Sequence, residues 1–401
     1  MTGEPRSPAA PGAATTLREE LIAAGCSVLL EAASEPDAPD EVAIHVTPKS
    51  AVSLGRAVAL LRARKLPLQI RGASDAPLPA KAGFALLDLS TLDRISAVDA
   101  RACIARVEGG CSVAALEVTA RRAGCTLGAL LPSVRGASVG AWLAGPTRGE
   151  RGIPGARRET AALSVALVLP DGRLIESRAA PRSATGPDID HLALGGGGRL
   201  GVIAAAWVRL LPVAEILAAS WTSPSLPAAL EALEALCFGR LAPARARATT
   251  LPGGVVRLAA AWEGASSARL DRARAQRLLL PRLGEADTAG DTSHWVRGTS
   301  GPQAVEVDAR WASLSAWAQR EAGLPGSELR LIGLHAGGSF AVLQSAGAGT
   351  ADACAAGARA CGAKVLAPRR LRDAIPGWEA QGASAAWARL VDALGAGEAA
   401  P

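Results

Sequence analysis

Three glycine-bearing segments are the part of the sequence best suited to bind a phosphorylated ligand. They lie around Gly72, around Gly140 and at residues 195–198, and each follows or adjoins a predicted strand. Glycine has no Cβ, so its backbone N–H can approach a phosphate or a flat ring closely, and several converging N–H groups form an anion-binding nest. The diphosphate of a dinucleotide carries two negative charges. Three such segments in one half of the chain therefore favour a dinucleotide site.

Two histidines are candidates for a general base. His335 lies in the segment 334–338, which predicts a loop, and is the first candidate; His294, next to Trp295, is the second. Imidazole titrates near neutral pH, which suits a group that removes a substrate proton. The other two histidines, His45 and His191, are predicted to be structural.

Arg182 is the remaining candidate for a catalytic or substrate-binding role. It is either a charge on the surface or a residue near the substrate or cofactor. Asp188 follows a proline and is interpreted as a turn or helix-capping residue rather than as a catalytic acid. The sequence contains no tyrosine, so no phenol can act as acid, base or stacking partner.

The seven cysteines are dispersed, odd in number and without a C-x-x-C pair. This pattern is typical of reduced, buried thiols in a cytosolic protein. No apolar leader stands at the N-terminus, and the longest apolar runs fall well short of the roughly 20 residues that span a bilayer. We therefore expect a cytoplasmic protein with no membrane span.

The composition excludes several classes of protein. Hydrophobic residues make up 49% and charged residues 20% of the 401 positions, which excludes a disordered chain and allows two domains with cores. The net charge is +6, but the arginines are scattered and are not interleaved with aromatic residues, so we expect no nucleic-acid partner. Strands and helices alternate in both halves, which predicts an α+β fold.

The elements that position the glycine segments are predicted from hydrophobic period and turn residues. Residues 1–15 are expected to be a disordered lead-in and residues 17–33 a helix. Strands are predicted at 42–46, 66–70, 84–89, 99–107, 163–169 and 200–211, helices at 52–64 and 113–123, and a hairpin turn at 170–173.

The second half gives a weaker pattern. Helices are predicted at residues 227–237, 265–283, 351–361 and 383–394, and strands at 255–262, 329–334 and 340–343. The arginines of residues 269–282 are interpreted as a solvated helix face, with docking to a membrane surface or a partner as the alternative.

An ordered set of motifs runs from residue 47 to residue 203. The motifs are Thr47-Pro48-Lys49-Ser50, residues 67–72, residues 86–90, Ser138-Val139-Gly140-Ala141-Trp142, residues 180–189 and residues 195–203. In this order they resemble the FAD-binding domain of the vanillyl-alcohol oxidase/PCMH superfamily, over about residues 40–212. Within that superfamily the similarity is greatest to alkylglycerone-phosphate synthases and to glycolate oxidase or D-lactate dehydrogenase flavoproteins.

The resemblance implies two small α+β subdomains that bind FAD between them, followed by a smaller, divergent α+β cap domain. The implied bounds are 16–212 for the FAD-binding domain and 213–401 for the cap, or substrate, domain. The first loop has no histidine, which implies FAD held without a covalent histidyl link. A small hydroxy-acid-like substrate is implied, together with an electron acceptor or a partner subunit.

The same resemblance implies a set of cofactor-binding residues in four loops. They are Ile70, Arg71, Gly72, Ala73, Ser74, Asp75, Ala76, Pro132, Ser133, Gly136, Ala137, Ser138, Gly140, Trp142, Gly145, Pro146, Thr147, Arg148, Gly197, Gly198, Arg199, Leu200, Gly201, Val202 and Ile203.

The chain departs from the family pattern in the first loop. It reads Gly72-Ala-Ser-Asp75-Ala where the family usually has Gly-Gly-Gly-Thr-Ser, and Asp75 adds a negative charge near the implied diphosphate. The His-x-Gly-Asp-Gly-Asn-x-His signature of metal-using relatives is absent, so no metal is expected.

Three functions follow as expectations. The first is an FAD-dependent oxidoreductase that takes a hydride from a 2-hydroxy acid or related alcohol. The second is a non-catalytic or FAD-free subunit, or scaffold, which the lost glycines favour. The third is an ether-lipid synthase, which residues 181–189 favour; the family's use of a tyrosine argues against it, because this chain has none.

Overall fold

The computed structural model describes separate stretches of the chain, most completely before residue 289. The described residues are 11–32, 42–66, 68–72, 85–128, 136–145, 161–180, 189–238, 241, 243, 245–250, 255–264, 266–288, 304–309, 316–317, 327–335, 338–345, 353, 356–361 and 364–366. Within them the chain forms two small sheets, one large sheet and a two-stranded ribbon.

The first sheet has four strands in the order β1-β2-β4-β3. They are β1 (Cys26–Ala32), β2 (Val42–Pro48), β3 (Leu68–Arg71) and β4 (Ala85–Asp88). Strand β1 runs antiparallel to β2, whereas β2 and β3 both run parallel to β4. The carboxyl ends of three parallel strands therefore share one edge, the edge at which open α/β sheets bind ligands.

Two helices accompany this sheet: α1 (Pro11–Ala23) packs on β1, and α2 (Ala51–Ala63) packs on β2. Helix α2 begins at a reciprocal cap, in which Ser50 Oγ accepts from the Ser53 N–H at 3.1 Å and Ser53 Oγ accepts from the Ser50 N–H at 2.9 Å. This cap satisfies two backbone donors that the first helical turn leaves without partners.

The second sheet has five antiparallel strands in the order β5-β6-β10-β8-β9. They are β5 (Ile95–Asp99), β6 (Ile104–Glu108), β8 (Ala162–Val168), β9 (Leu174–Glu176) and β10 (Val202–Arg209). Helices α3 (Val113–Arg122), α4 (Val139–Ala144) and α5 (Ile189–Ala193) belong to this unit, and β7 (Cys125–Thr126) pairs with β11 (Leu211–Pro212).

The third sheet has seven strands in the order β12-β14-β13-β16-β17-β15-β18. They are β12 (Ile216–Ser223), β13 (Arg245–Thr250), β14 (Val256–Glu263), β15 (Ala304–Ala309), β16 (Ser327–His335), β17 (Gly338–Ser345) and β18 (Lys364–Leu366). Helices α6 (Leu226–Phe238) and α7 (Ser266–Leu283) pack on it. Three tryptophans, Trp221, Trp262 and Trp317, are fully buried in the core that this sheet and its helices share.

The two small sheets share part of their core. Val168, Val202 and Ala204 belong to the second sheet but pack in the hydrophobic cluster under the first. Helix α2 also packs on the hairpin turn between β8 and β9, where a Cβ at Gly55 would stand 2.4 Å from the Gly172 carbonyl oxygen. The fold is α+β, as predicted.

The structure corrects four expectations about local structure. Residues 11–15 are helical rather than disordered, and the helix predicted at 17–33 ends at Ala23, after which residues 26–32 form β1. The strand predicted at 99–107 is a hairpin, because the chain turns between β5 and β6. His335 is the last residue of β16, paired with Gly338, rather than a loop residue.

No helix within the described ranges is both long and apolar enough to cross a membrane. In the same part of the chain, His, Cys, Asp and Glu side chains form no group of three or more that could hold a metal ion.

Candidate cofactor-binding site

The carboxyl-end edge of the first sheet meets the second sheet through glycines. Gly72, directly after β3, lies against the start of α4, where an added Cβ would stand 2.0 Å from Ser138 Oγ. Gly110 follows β6, and its Cβ would stand 1.7 Å from the carbonyl oxygen of Leu89, at the end of β4. Such distances are too short for any side chain, so the contact requires glycine on both sides of this junction.

A second group of contacts joins the turn after β6 to β10 and to α4. The Gly109 N–H donates to the Ala204 carbonyl at 2.7 Å, and the Gly109 carbonyl accepts from the Gly140 N–H at 2.7 Å. A Cβ at Gly109 would stand 2.1 Å from the Ile203 carbonyl oxygen. Three segments that are far apart in the sequence therefore touch through their backbones within the unit of the second sheet, next to the contact between Gly110 and the first sheet.

A cleft of about 150 Å³ opens where α2, β3 and the segment before β10 meet. Its lining residues are Val58, Arg62, Leu68, Ile70, Pro170, Gly197, Gly198, Arg199, Gly201 and Val202. Gly197, Gly198 and Gly201 have φ values of +64°, +83° and +151°, which side chains disfavour. A Cβ at Gly197 would meet no atom within 4 Å, so its backbone borders open space.

The charge of the cleft is positive. Arg62, in the last turn of α2, and Arg199 line it, and the described lining contains no acidic residue. Cationic side chains around open space favour a ligand with negative charge, such as a diphosphate.

Arg71 forms an ion pair with Asp88 at the junction edge. The Arg71 guanidinium donates to the Asp88 carboxylate, which also accepts from the Ser90 N–H at 2.9 Å. Burial alone would raise the pKa of Asp88, but the hydrogen bonds from Arg71 and Ser90 outweigh it and lower that pKa. Asp88 therefore stays ionised and ties the ends of β3 and β4 together, and the paired Arg71 adds little attraction for a phosphate.

Trp142 carries a buried donor without a protein partner. Its side chain is 2% exposed, and Nε1 finds no acceptor among the described residues. An unpaired buried N–H is costly, and a bound ligand is one way to satisfy it.

Residues 42–178 match the family model for the FAD binding domain. This part of the chain, 137 of the 401 residues, is therefore similar to an FAD-binding domain. A curated relative, alkyldihydroxyacetonephosphate synthase of Caenorhabditis elegans, is 25% identical over 179 residues. That alignment covers 44% of this chain and 30% of the relative, so the chain matches less than a third of that protein's length.

Solved structures with the same fold extend the likeness beyond the FAD-binding domain. Two structures of alkyldihydroxyacetonephosphate synthase superpose with TM-scores of 0.64 and 0.65 at 16% identity, over 81% and 88% of this chain and 73% of each of those chains. A structure of p-cresol methylhydroxylase with substrate bound superposes with a TM-score of 0.65 at 15% identity, over 88% of this chain and 87% of that chain. The fold is therefore of the PCMH type.

The residues at the junction fit FAD as the cofactor of the FAD-binding domain. Open space borders the Gly197 backbone, and Arg62 and Arg199 supply positive charge to the cleft. The loop that contains Asp75, whose charge would oppose a diphosphate, lies outside the described residues.

The structure brings together part of the predicted site. Ile70, Gly72, Ser138, Gly140, Gly198 and Ile203 are joined by the contacts above, and the Gly197 N–H donates to the Ala144 carbonyl at 2.8 Å. Gly136, Ala137, Trp142 and Gly145 flank or lie in α4, and Leu200 precedes β10. The following predicted residues lie outside the described ranges: Ala73, Ser74, Asp75, Ala76, Pro132, Ser133, Pro146, Thr147, Arg148, Arg182 and His294.

Sequence reasoning missed three residues of the junction and cleft. Gly110 packs on the residue after β4 and Gly109 packs on β10, and a Gly-Gly pair close after a predicted strand was the signal for them. Arg62 gave no such signal, because a charged residue near the end of an amphipathic helix usually lies in solvent.

Strand β13 pairs with β16, the strand that ends at His335. Ala246 and Ala248 of β13 are buried in the core with α6 and α7. Arg247 is paired with Gly333 of β16, and Ala248 with Ile332.

Proposed function

We propose that the protein is an FAD-dependent oxidoreductase that oxidises a small anionic 2-hydroxy acid or a related alcohol. The observation that supports it most is the glycine-lined, positively charged cleft at the junction of the two small sheets, in a chain whose residues 42–178 match the FAD binding domain. Bound FAD supplies an acceptor for the hydride of an alcohol carbon.

FAD is held without a covalent bond in this proposal. The described lining of the cleft contains no histidine and no cysteine. Binding then depends on backbone contacts with residues 197–201, on Arg199 and on the Trp142 N–H, which together fix the orientation of the cofactor.

The proposed reaction needs a base and a group that binds the substrate anion. His335 is the first candidate for the base that removes the proton from the substrate hydroxyl group, and His294 is the second. Arg182 is the candidate for binding the substrate anion. The proton leaves the hydroxyl group as the hydride leaves the carbon, so both groups must act on the same bound substrate.

An ether-lipid synthase is the second candidate function. It is supported by the alkyldihydroxyacetonephosphate synthase of C. elegans, at 25% identity, and by two structures of such a synthase. The absence of tyrosine argues against it, because the resemblance that suggests this function implies a tyrosine.

Anaerobic reduction of the flavin distinguishes these functions. The FAD-loaded full chain is mixed with glycolate or D-lactate, and the visible absorbance is followed; we expect rapid loss of the oxidised flavin bands. The R182Q variant should raise the KM more than it lowers kcat, whereas H335Q should lower kcat.

Two results would overturn the proposal. A flavin that no 2-hydroxy acid or simple alcohol reduces, with activity on an acyl-dihydroxyacetone phosphate and a fatty alcohol, identifies an ether-lipid enzyme. A flavin that neither assay turns over identifies a non-catalytic subunit.

A further inference from the structure

Two thiols of the FAD-binding domain, Cys103 and Cys125, lie beside each other although 22 positions separate them in the sequence. Cys103 Sγ donates to the Ala100 carbonyl at 3.4 Å, and Cys125 Sγ donates to the same oxygen at 3.9 Å. Both sulfur atoms therefore point at one small volume between the β5–β6 turn and β7.

The backbone holds this pair from a common support. The Cys103 carbonyl accepts from the Leu210 N–H at 2.7 Å, and Cys125 pairs with Pro212 in the ribbon of β7 and β11. Residues 210–212 thus contact the backbones of both cysteines and hold them on a common support.

The two thiols differ in access. Cys103 is half-buried, whereas Cys125 is 2% exposed. Cys103 also has a φ of +53°, a left-handed conformation that is unfavourable for a side chain with a Cβ. Nothing in the cofactor site or in the proposed reaction uses either residue.

We propose that Cys103 and Cys125 are a site of reversible oxidation to a disulfide that joins the β5–β6 turn to β7. The sequence pattern alone predicts reduced, buried thiols, and the spatial pairing changes that expectation for these two residues. The bond closes a loop that contains β6 and α3, and so links the end of the second sheet to the segment after α3.

Oxidised glutathione is a sufficient oxidant for this bond. The Cys103 thiolate attacks one glutathione sulfur and releases one glutathione thiolate; the Cys125 thiolate then attacks the Cys103 sulfur and releases the second. The protein thiols lose two electrons, the glutathione disulfide gains them, and the two thiol protons end on the two glutathione molecules. Cys103 is the more exposed thiol and reacts first. Burial first, and then the neighbouring Cys103 thiol, raises the pKa of Cys125, which lowers its share of reactive thiolate.

Peptide mapping tests the proposal. The folded full chain is incubated with oxidised glutathione, blocked with an alkylating agent under denaturing conditions and digested with trypsin. The thiol count should fall by two from the seven of the reduced chain, with the mass of two hydrogens lost. Tryptic peptides 102–106 and 123–135 should appear as one linked species that dithiothreitol separates.

Matched variants locate the bond. C103S and C125S should each abolish the linked species, whereas C361S removes another half-buried thiol and should leave it unchanged. Circular dichroism of each variant before oxidation checks that it is folded. Glutathione adducts on Cys103 without the linked species, or a predominant link between other cysteines, would overturn the proposal.

Discussion

At the junction of the two small sheets, Gly110 meets the backbone of Leu89 and Gly72 meets the short side chain of Ser138, and at both positions a single added carbon would stand about 2 Å from another atom. Under the seven-stranded sheet, side chains fill the space instead, and Trp221 and Trp262 are fully buried against α6 and α7. The first region needs positions without a side chain, whereas the second needs side chains that fill its volume.

This difference teaches where each region can tolerate change. When a buried side chain is shortened, the free energy of unfolding falls with the volume of the cavity that is left. Neighbouring side chains relax into part of that cavity and so limit the loss. A backbone contact at van der Waals distance has no such reserve, since a Cβ can be admitted only if a strand or a helix moves. The cofactor site stands on the less tolerant region.

The largest effect is expected at Gly110. Gly110→Ala places a Cβ 1.7 Å from the Leu89 carbonyl oxygen and 2.8 Å from that of Leu92, so the sheets must separate. We expect a loss of more than about 4 kcal/mol in the free energy of unfolding, or no soluble protein, with loss of FAD binding. Urea unfolding and FAD titration measure both.

Gly136→Ala is the control for that variant. Gly136 also lies near the junction, but a Cβ there would meet no atom within 4 Å, so its unfolding curve should match the wild type. Equal curves for Gly110→Ala and the wild type would contradict the packing described for the junction.

Trp262 tests the side-chain core of the seven-stranded sheet. Trp262→Ala removes a fully buried ring and the hydrogen bond from Nε1 to the Leu241 carbonyl, and should cost about 3–5 kcal/mol of unfolding free energy. Trp262→Phe keeps most of the volume and should cost less. Because the damage lies in the large sheet, both variants should keep FAD binding at a temperature where they are folded; parallel loss of FAD would show that the regions are not independent.

A smaller effect is expected at Gly72, together with a rescue. Gly72→Ala places a Cβ 2.0 Å from Ser138 Oγ and 2.3 Å from Ser138 Cβ, an overpacking worth about 1–3 kcal/mol. Ser138→Gly removes both atoms, and glycine is an acceptable N-cap for α4. The double variant should therefore be more stable than Gly72→Ala alone; additive losses in a double-mutant cycle would rule out this contact.

Asp88 gives the smallest stability change and a dependence on pH. Because the native pKa of Asp88 is lowered, the carboxylate stabilises the fold above its unfolded pKa, and this stability is lost as the pH falls through the native pKa. Asp88→Asn should cost roughly 1–3 kcal/mol at pH 7, and the difference from wild type should shrink below about pH 4.

Asp171→Asn is the matched control for the pH series. Asp171 also has a lowered pKa, mainly through hydrogen bonds from the backbone and side chain of Arg173, but its side chain is half exposed. Its removal should change stability little at any pH. A pH-independent gap between wild type and Asp88→Asn would refute the ion pair at the junction.

Much of the fold was predictable because its signals are local. The helices predicted at 52–64 and 113–123 and the turn predicted at 170–173 are all present. Local features explain them: α2 begins at the reciprocal cap of Ser50, and Gly124, with φ of +74°, follows the end of α3. The errors have local causes as well. Gly25, at φ +90°, ends α1 early, and the turn after β5 is made by Cys103 at φ +53°, without the glycine that usually signals it.

The sequence predicted the type of site, but not which of its glycines contact protein. The glycine segments predicted a cofactor site. The packing of the two small sheets decides which of these glycines contact protein and which border open space. Gly72 packs on Ser138, whereas Gly197 borders open space, and the sequence alone does not distinguish these two settings. Arg71 was predicted to face the cofactor, and only the register of β3 with β4 places it level with Asp88.

FAD is proposed to bind at the junction cleft, beside Gly197. The test compares Gly197→Val with Gly284→Val: both glycines have positive φ, +64° and +76°, and neither has an atom within 4 Å of an added Cβ. The two variants therefore carry the same kind of backbone strain, but Gly284 lies after α7, away from the cleft.

Fluorescence titration of the apoprotein with FAD is the decisive measurement. We expect the wild type and Gly284→Val to bind one FAD per chain with similar Kd. Gly197→Val should bind FAD at least tenfold more weakly, a difference of about 1.4 kcal/mol in binding free energy. Equal Kd values for the two variants, or no FAD binding by the wild type, would contradict this expectation.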